Sequence, residues 1–138
     1  SGDLYPVVAA GRSGSKAFEE KLARFSNLRR EADVTQEKMI ALIRDAHIIL
    51  VHSLHGSGMK LKIFPALYHG RFVAATAQCR TGTSLDQAIT YYQPSSLDAM
   101  IKELWASDFS ELQIAERIKI LAGQPDDDQK AKEIIRYL

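Results

Sequence analysis

Four consecutive apolar residues, Ile48-Ile49-Leu50-Val51, lead within a few positions to a glycine-rich turn and then to a segment of helical character. That order constrains the fold more than any other stretch of the chain. An uninterrupted apolar strand suits a parallel sheet covered on both faces. Gly56-Ser57-Gly58 supplies a turn that tolerates positive φ and lets a ligand approach the backbone closely. The segment 59–69 reads as a helix ending at Gly70, a residue suited to the C′ position. Strand, turn and helix in this order aim unpaired N–H groups and the positive end of a helix dipole into one small space, where an anion such as phosphate fits.

The same alternation runs through the chain. Residues 5–10 read as a first strand ended by Gly11, and Phe18, Leu22 and Phe25 then recur as one buried helical face. Residues 28–32 form a polar strand candidate near an edge. Thr35 is a helix N-cap, and Met39, Leu42, Ile43 and Ala46 follow at helical spacing. Strands are expected at 47–51, 71–76 and 89–92, with a polar loop at 77–84 and a short helical turn at 85–88. Beyond Pro94 the stripe Leu97, Met100, Ile101, Leu104, Trp105 marks a core-facing helix. Ser110 and Gln113 form a capping box ahead of Ile114, Ile118 and Leu121. Asp126-Asp127-Asp128 opens a last helix with Ala131, Ile134, Ile135 and Leu138 on its apolar face. The pattern predicts one α/β domain over 1–138, a Rossmann-like parallel sheet of about five strands flanked by helices and closed by C-terminal helices.

In such sheets ligands bind at the carboxyl ends of the strands, which directs attention to the loops 11–16, 52–58 and 77–84. The first, Gly11-Arg12-Ser13-Gly14-Ser15-Lys16, departs from a Walker A loop, because no glycine immediately precedes Lys16 and no Ser or Thr follows it. It reads as a flexible turn or as a ligand loop through Arg12. In the second, His52 and His55 lack a third metal ligand and suit hydrogen bonds to a sugar hydroxyl or a phosphate. Lys60 and Lys62 lie about 200° apart on a regular helix, so only one faces a shared ligand. Pro65 should kink this helix near Leu61 or delay its start. In the third loop Gly82 and Thr83 offer small, donor-rich contacts.

Composition excludes several classes. A formal net charge of +1 leaves no global basic field for nucleic acid. No apolar run reaches the roughly 18–20 residues that span a bilayer. The start of the chain lacks a signal-peptide pattern, and the one cysteine, Cys79, fits a reducing, cytoplasmic setting and a small buried role. No carboxylate pair or nucleophile–histidine set is legible from spacing.

The run 47–53 leading into Gly56-Ser57-Gly58-Met59-Lys60-Leu61-Lys62, with Ala66-Leu67 and Gly70-Arg71 behind it, resembles the C-terminal, donor-binding half of GT-B glycosyltransferases of the family 4 kind, in a divergent bacterial branch. The resemblance implies transfer of a sugar from a nucleotide diphosphate sugar to an acceptor hydroxyl, retaining and metal-independent, in surface polysaccharide synthesis. The donor is then a substrate and no separate cofactor is expected. Gly56, Ser57, Gly58 and Met59 would line the diphosphate, Lys60 would offset leaving-group charge, and Thr83 would meet ribose or phosphate. Arg12, His52, His55, Lys62 and Gly82 are further contacts. The family's pair of glutamates around this helix falls here on Ser57 and Pro65. The resemblance also places the start of the chain one strand–helix unit into that half. The partner would be an N-terminal acceptor domain, in a parent peripheral to the inner membrane, and a sheet edge left open could pair copies of the chain. The chain alone is expected to be inactive. The rival expectation is a non-catalytic α/β interaction module descended from such a domain.

Overall fold

A computed structural model of the chain describes residues 5–53 and 60–123. The expected last helix, with Asp126 to Asp128 and the apolar residues behind them, lies outside the described residues. The fold is α/β, and all described strand pairs are parallel. The chain divides into two compact units, Ser1–Ala41 and Leu42–Leu138. The strands fall in two sheets rather than one, of order β1-β2 and β3-β4-β5. Apolar runs reveal strands, whereas pairing depends on which backbone edges meet, and periodicity does not encode that.

In the first unit β1 (Val7–Gly11) and β2 (Leu28–Ala32) pair with Val7 opposite Leu28 and Gly11 opposite Ala32. Between them runs α1 (Lys16–Ala23), whose N-cap Ser15 accepts a hydrogen bond from the Phe18 N–H. The expected buried face of this helix is largely absent: Phe18 and Phe25 are exposed, and Leu22 is half-buried. The helix stops before Phe25, and two five-residue strands offer little apolar surface to cover. Polar bonds tie the unit together instead. Arg30 grips both oxygens of Glu19 and donates to the Ala9 and Arg12 carbonyls. Asp33, held at φ 53, sends its N–H to the Gly11 carbonyl.

α2 (Gln36–Asp45) begins as read, with Thr35 Oγ1 accepting from the Lys38 N–H at 3.1 Å. The second unit is layered around β3 (Ile48–Val51), β4 (Phe72–Thr76) and β5 (Thr90–Tyr92). β4 is central and every residue in it is buried. On one face Val51, Val73 and Ala75 pack with Ile63, Ala66 and Leu67 of α3 (Lys60–His69) and with Leu121 of α5 (Glu111–Ala122). On the other, Ala74 and Tyr92 meet Met100 of α4 (Leu97–Trp105). Alternation along each strand sends successive side chains to these two layers.

Four further expectations need correction. β3, read as covered on both faces, is an outer strand of its sheet, and Leu50 remains 43% exposed. Trp105, read as core, is 45% exposed at the end of α4, its ring edge-on to His47 at 5.9 Å. α3 runs unbroken through Pro65 from Lys60. The proline sits so near the start that it removes only the bond to Leu61, while the buried Ile63, Ala66 and Leu67 hold the helix to the sheet. Finally, Gly70 does not take positive φ. Its N–H closes the helix onto the Ala66 carbonyl at 2.8 Å, and a β-carbon there would strike Ile49 Cδ1 and lie 2.7 Å from that same carbonyl oxygen.

Arg117, which no sequence argument singled out, is 7% exposed. Its guanidinium donates to the carbonyls of Leu67, Gly70 and Arg71 and lies 5.1 Å from the Phe109 ring centroid. Burial pushes its pKa down to about 10, so it stays charged at neutral pH. The signal was present: Arg117 falls on the same helical stripe as Ile114, Ile118 and Leu121.

Two substitutions test this packing. Gly70→Ala should cost about 1–3 kcal/mol in urea unfolding, by overpacking rather than backbone strain. Arg117→Ala should cost about 3 kcal/mol by orphaning three carbonyls, and Arg117→Lys should restore only part of it, because an ammonium cannot reproduce the guanidinium fork.

Candidate functional site

Three parallel strands end together in the second unit, and their carboxyl ends carry the residues of interest. The exit of β3 is clamped by Thr76, the last residue of β4. Its hydroxyl accepts from the Ser53 N–H at 3.0 Å, donates to the Ser53 carbonyl and lies 3.3 Å from Cys79 Sγ. Thr76 is fully buried, so it meets its hydrogen-bonding needs through Ser53 and Cys79. This side-chain bridge extends the β3–β4 ladder by one step and sets the point from which the glycine-rich segment departs.

Gly56, Ser57, Gly58, Met59 and His55 lie outside the described residues. α3 opens at Lys60, so the positive end of its dipole stands at the same sheet edge. Lys62 is exposed on the regular helix. His52 is exposed, and its Nδ1 lies 2.8 Å from the hydroxyl of Tyr92 on β5. Tyr92 occupies the α4 layer, so His52 is drawn to the face opposite α3. Burial raises the Tyr92 pKa, and the phenol is neutral at ordinary pH.

After β4 a 3₁₀ turn, Ala77–Cys79, leads into the 81–83 loop. Gly82 takes φ 72, the left-handed region that favours glycine. The donors of this loop are already engaged. Asp86 accepts from the N–H and hydroxyl of Thr81 at 2.9 and 2.8 Å, from the Gly82 N–H at 3.0 Å and from the Tyr91 hydroxyl. The Thr83 N–H turns to Thr81 Oγ1, and Thr83 Oγ1 caps the turn Ser84–Ala88 through the Leu85 N–H. Burial pushes the Asp86 carboxyl up, yet the bonds from Tyr91, Thr81 and Gly82 outweigh it and hold the pKa below the usual aspartate value. A ligand reaching Gly82 or Thr83 would compete with an internal carboxylate.

The glycine loop of the first unit behaves alike. The Ser13 N–H and hydroxyl both donate to the Asp33 carboxylate, and the Gly14 N–H donates to Glu19. The Ser13 bonds hold Asp33 below its ordinary pKa, and the Arg30 bond does the same for Glu19. Carboxylates of the chain itself thus occupy the amides that would cradle a phosphate. Arg12 is exposed, and its carbonyl is taken by Arg30.

His47 is structural: its Nε2 lies 2.9 Å from the Leu104 carbonyl and its ring meets Phe72 edge-on. Among the described residues no three His, Cys, Asp or Glu side chains gather as a metal would require. No described helix is long and apolar enough to cross a membrane. Comparison with family models, curated proteins and solved structures gives no match to this chain.

Asp86 makes the loop acid-sensitive. A depressed folded pKa means its stabilisation is present above the ordinary aspartate value of 3.8 and is lost as pH falls through the lower folded value. The Thr81 and Gly82 amide proton shifts should therefore titrate together with a shared midpoint below the ordinary aspartate value of 3.8. In Asp86→Asn that titration should vanish, and both amides should exchange faster at neutral pH.

Proposed function

We propose that the chain is a nucleotide-diphosphate-sugar-binding part of a GT-B-type glycosyltransferase, holding the donor diphosphate at the carboxyl edge of the β3-β4-β5 sheet. The observation that carries this reading is the Thr76 clamp on Ser53, with α3 opening at Lys60 on the same edge. In sequence, Gly56, Ser57, Gly58 and Met59 fall between that bonded strand end and the start of α3. Backbone N–H groups there suit phosphate oxygens, and Lys60 would offset charge as the nucleoside diphosphate leaves. Transfer to an acceptor hydroxyl, in glycan synthesis on the cytoplasmic side of a membrane, would require an acceptor-binding partner domain.

The committed donors of the 81–83 loop favour a second reading, an α/β interaction module descended from such a domain. Ser57 and Pro65 in the places of the family's glutamates point the same way.

Thermal unfolding with UDP, GDP, ADP and their sugar conjugates separates the two. The donor-site reading expects one nucleotide to raise Tm, with stabilisation approaching about 2.7 kcal/mol at a hundredfold excess over Kd. Lys60→Ala should abolish that rise without altering the unliganded Tm. Absence of a shift with every nucleotide selects the interaction module.

A further inference from the structure

Arg80 leaves the 3₁₀ turn that follows β4, and its side chain is exposed. Its guanidinium carbon stands 4.5 Å from the centroid of the Tyr91 ring. A cation at that distance is held by the ring quadrupole and keeps its N–H edge available. Tyr91 is itself fixed, because its hydroxyl donates to Asp86. Asp86 in turn is occupied by Thr81 and Gly82. Among the described residues no carboxylate or carbonyl accepts from the Arg80 guanidinium. Among the described residues, other arginine guanidinium groups are spent on the protein itself: Arg29 on Glu31, Arg30 on Glu19, Arg71 on the Arg44 and Ala46 carbonyls, Arg117 on the end of α3.

The sheet face matters as much as the stack. Tyr91 packs against the cluster that contains Ile63, Ala66 and Leu67 of α3. Arg80 therefore lies on the α3 side of the sheet, at the edge where α3 begins. His52, paired to Tyr92, lies toward the opposite layer. The carboxyl edge is divided accordingly: the α3 side carries Arg80 and the helix start at Lys60, and the α4 side carries the His52–Tyr92 pair.

We infer that Arg80 is an anion-binding residue of this edge, a guanidinium pre-oriented by Tyr91 to take phosphate oxygens of a diphosphate together with the start of α3. The inference deepens the proposed donor site and rests on it for the identity of the ligand as a nucleoside diphosphate. A planar fork suits two phosphate oxygens at once, and its orientation on the ring reduces the rotamer entropy lost on binding.

The test is calorimetric titration of the full chain with inorganic pyrophosphate and, separately, with nucleoside diphosphates. Arg80→Gln should weaken pyrophosphate about tenfold, and Arg80→Lys should fall between it and the native protein. Lys119→Gln, which removes an exposed charge from α5 in the same unit, should leave binding unchanged. Tm values of all variants report that folding is intact. If Arg80→Gln binds pyrophosphate as the native chain does, the inference is overturned; nucleotide binding lost in Lys60→Ala would then leave the donor site standing. Arg80-dependent pyrophosphate binding without any preference for nucleoside diphosphates supports the anion contact and removes the donor-site reading. A native chain that binds no pyrophosphate overturns the Arg80 contact outright.

Discussion

Everything in the second unit depends on the burial of β4 between two parallel neighbours. Each residue of Phe72–Thr76 is removed from water, and its alternating side chains supply the core of both helical layers. Burial on both faces is possible only if every polar group on the strand is satisfied. The ladders to β3 and β5 serve most of the backbone. Thr76 is the one polar side chain in the strand, and it is satisfied by reaching across to Ser53. The same bond that completes the core thereby fixes Ser53 at the sheet's carboxyl edge, so packing and the position of that edge share a cause.

Guanidinium groups perform the equivalent task at three places where elements end. Arg117 collects three carbonyls at the end of α3, Arg71 takes two at the end of α2, and Arg30 ties β1 to Glu19. Helix ends leave carbonyls without intrahelical partners, and a five-donor fork can satisfy several at once. In the first unit this polar stapling substitutes for a core, since none of its described residues is buried. Against that background Arg80 stands apart: its guanidinium lies 4.5 Å from the Tyr91 ring centroid, and among the described residues no carbonyl or carboxylate accepts from it.

Much of the architecture was legible. The positions of β1 to β5, the Thr35 cap and the Ser110–Gln113 capping box follow from local patterns that act over a few residues. The errors have a common physical origin. Leu50, Phe18 and Trp105 are apolar, but burial requires a partner surface, and periodicity does not reveal which surfaces exist. Gly70 carried the right signal for the wrong reason, because its need for space arises from Ile49, distant in sequence. Of the candidate site, the loops were found and their internal occupancy was missed. Asp86 lies a few residues from the amides it holds, yet nothing in composition tells a carboxylate that fills a loop from one that faces solvent.

The sequence by itself determined the alternation of strand and helix, the parallel α/β class, and a glycine-and-lysine segment placed directly after an apolar strand. These are consequences of short-range sterics and of hydrophobic spacing along one chain. The tertiary structure decided which strands pair, which of them is central, and which charged groups are spent on the protein's own backbone. It also decided that Arg80, unmarked in the sequence, stands on the α3 side while His52 turns to Tyr92 on the other. Those outcomes depend on contacts between residues tens of positions apart, where strand order and the faces of a sheet determine what each side chain meets.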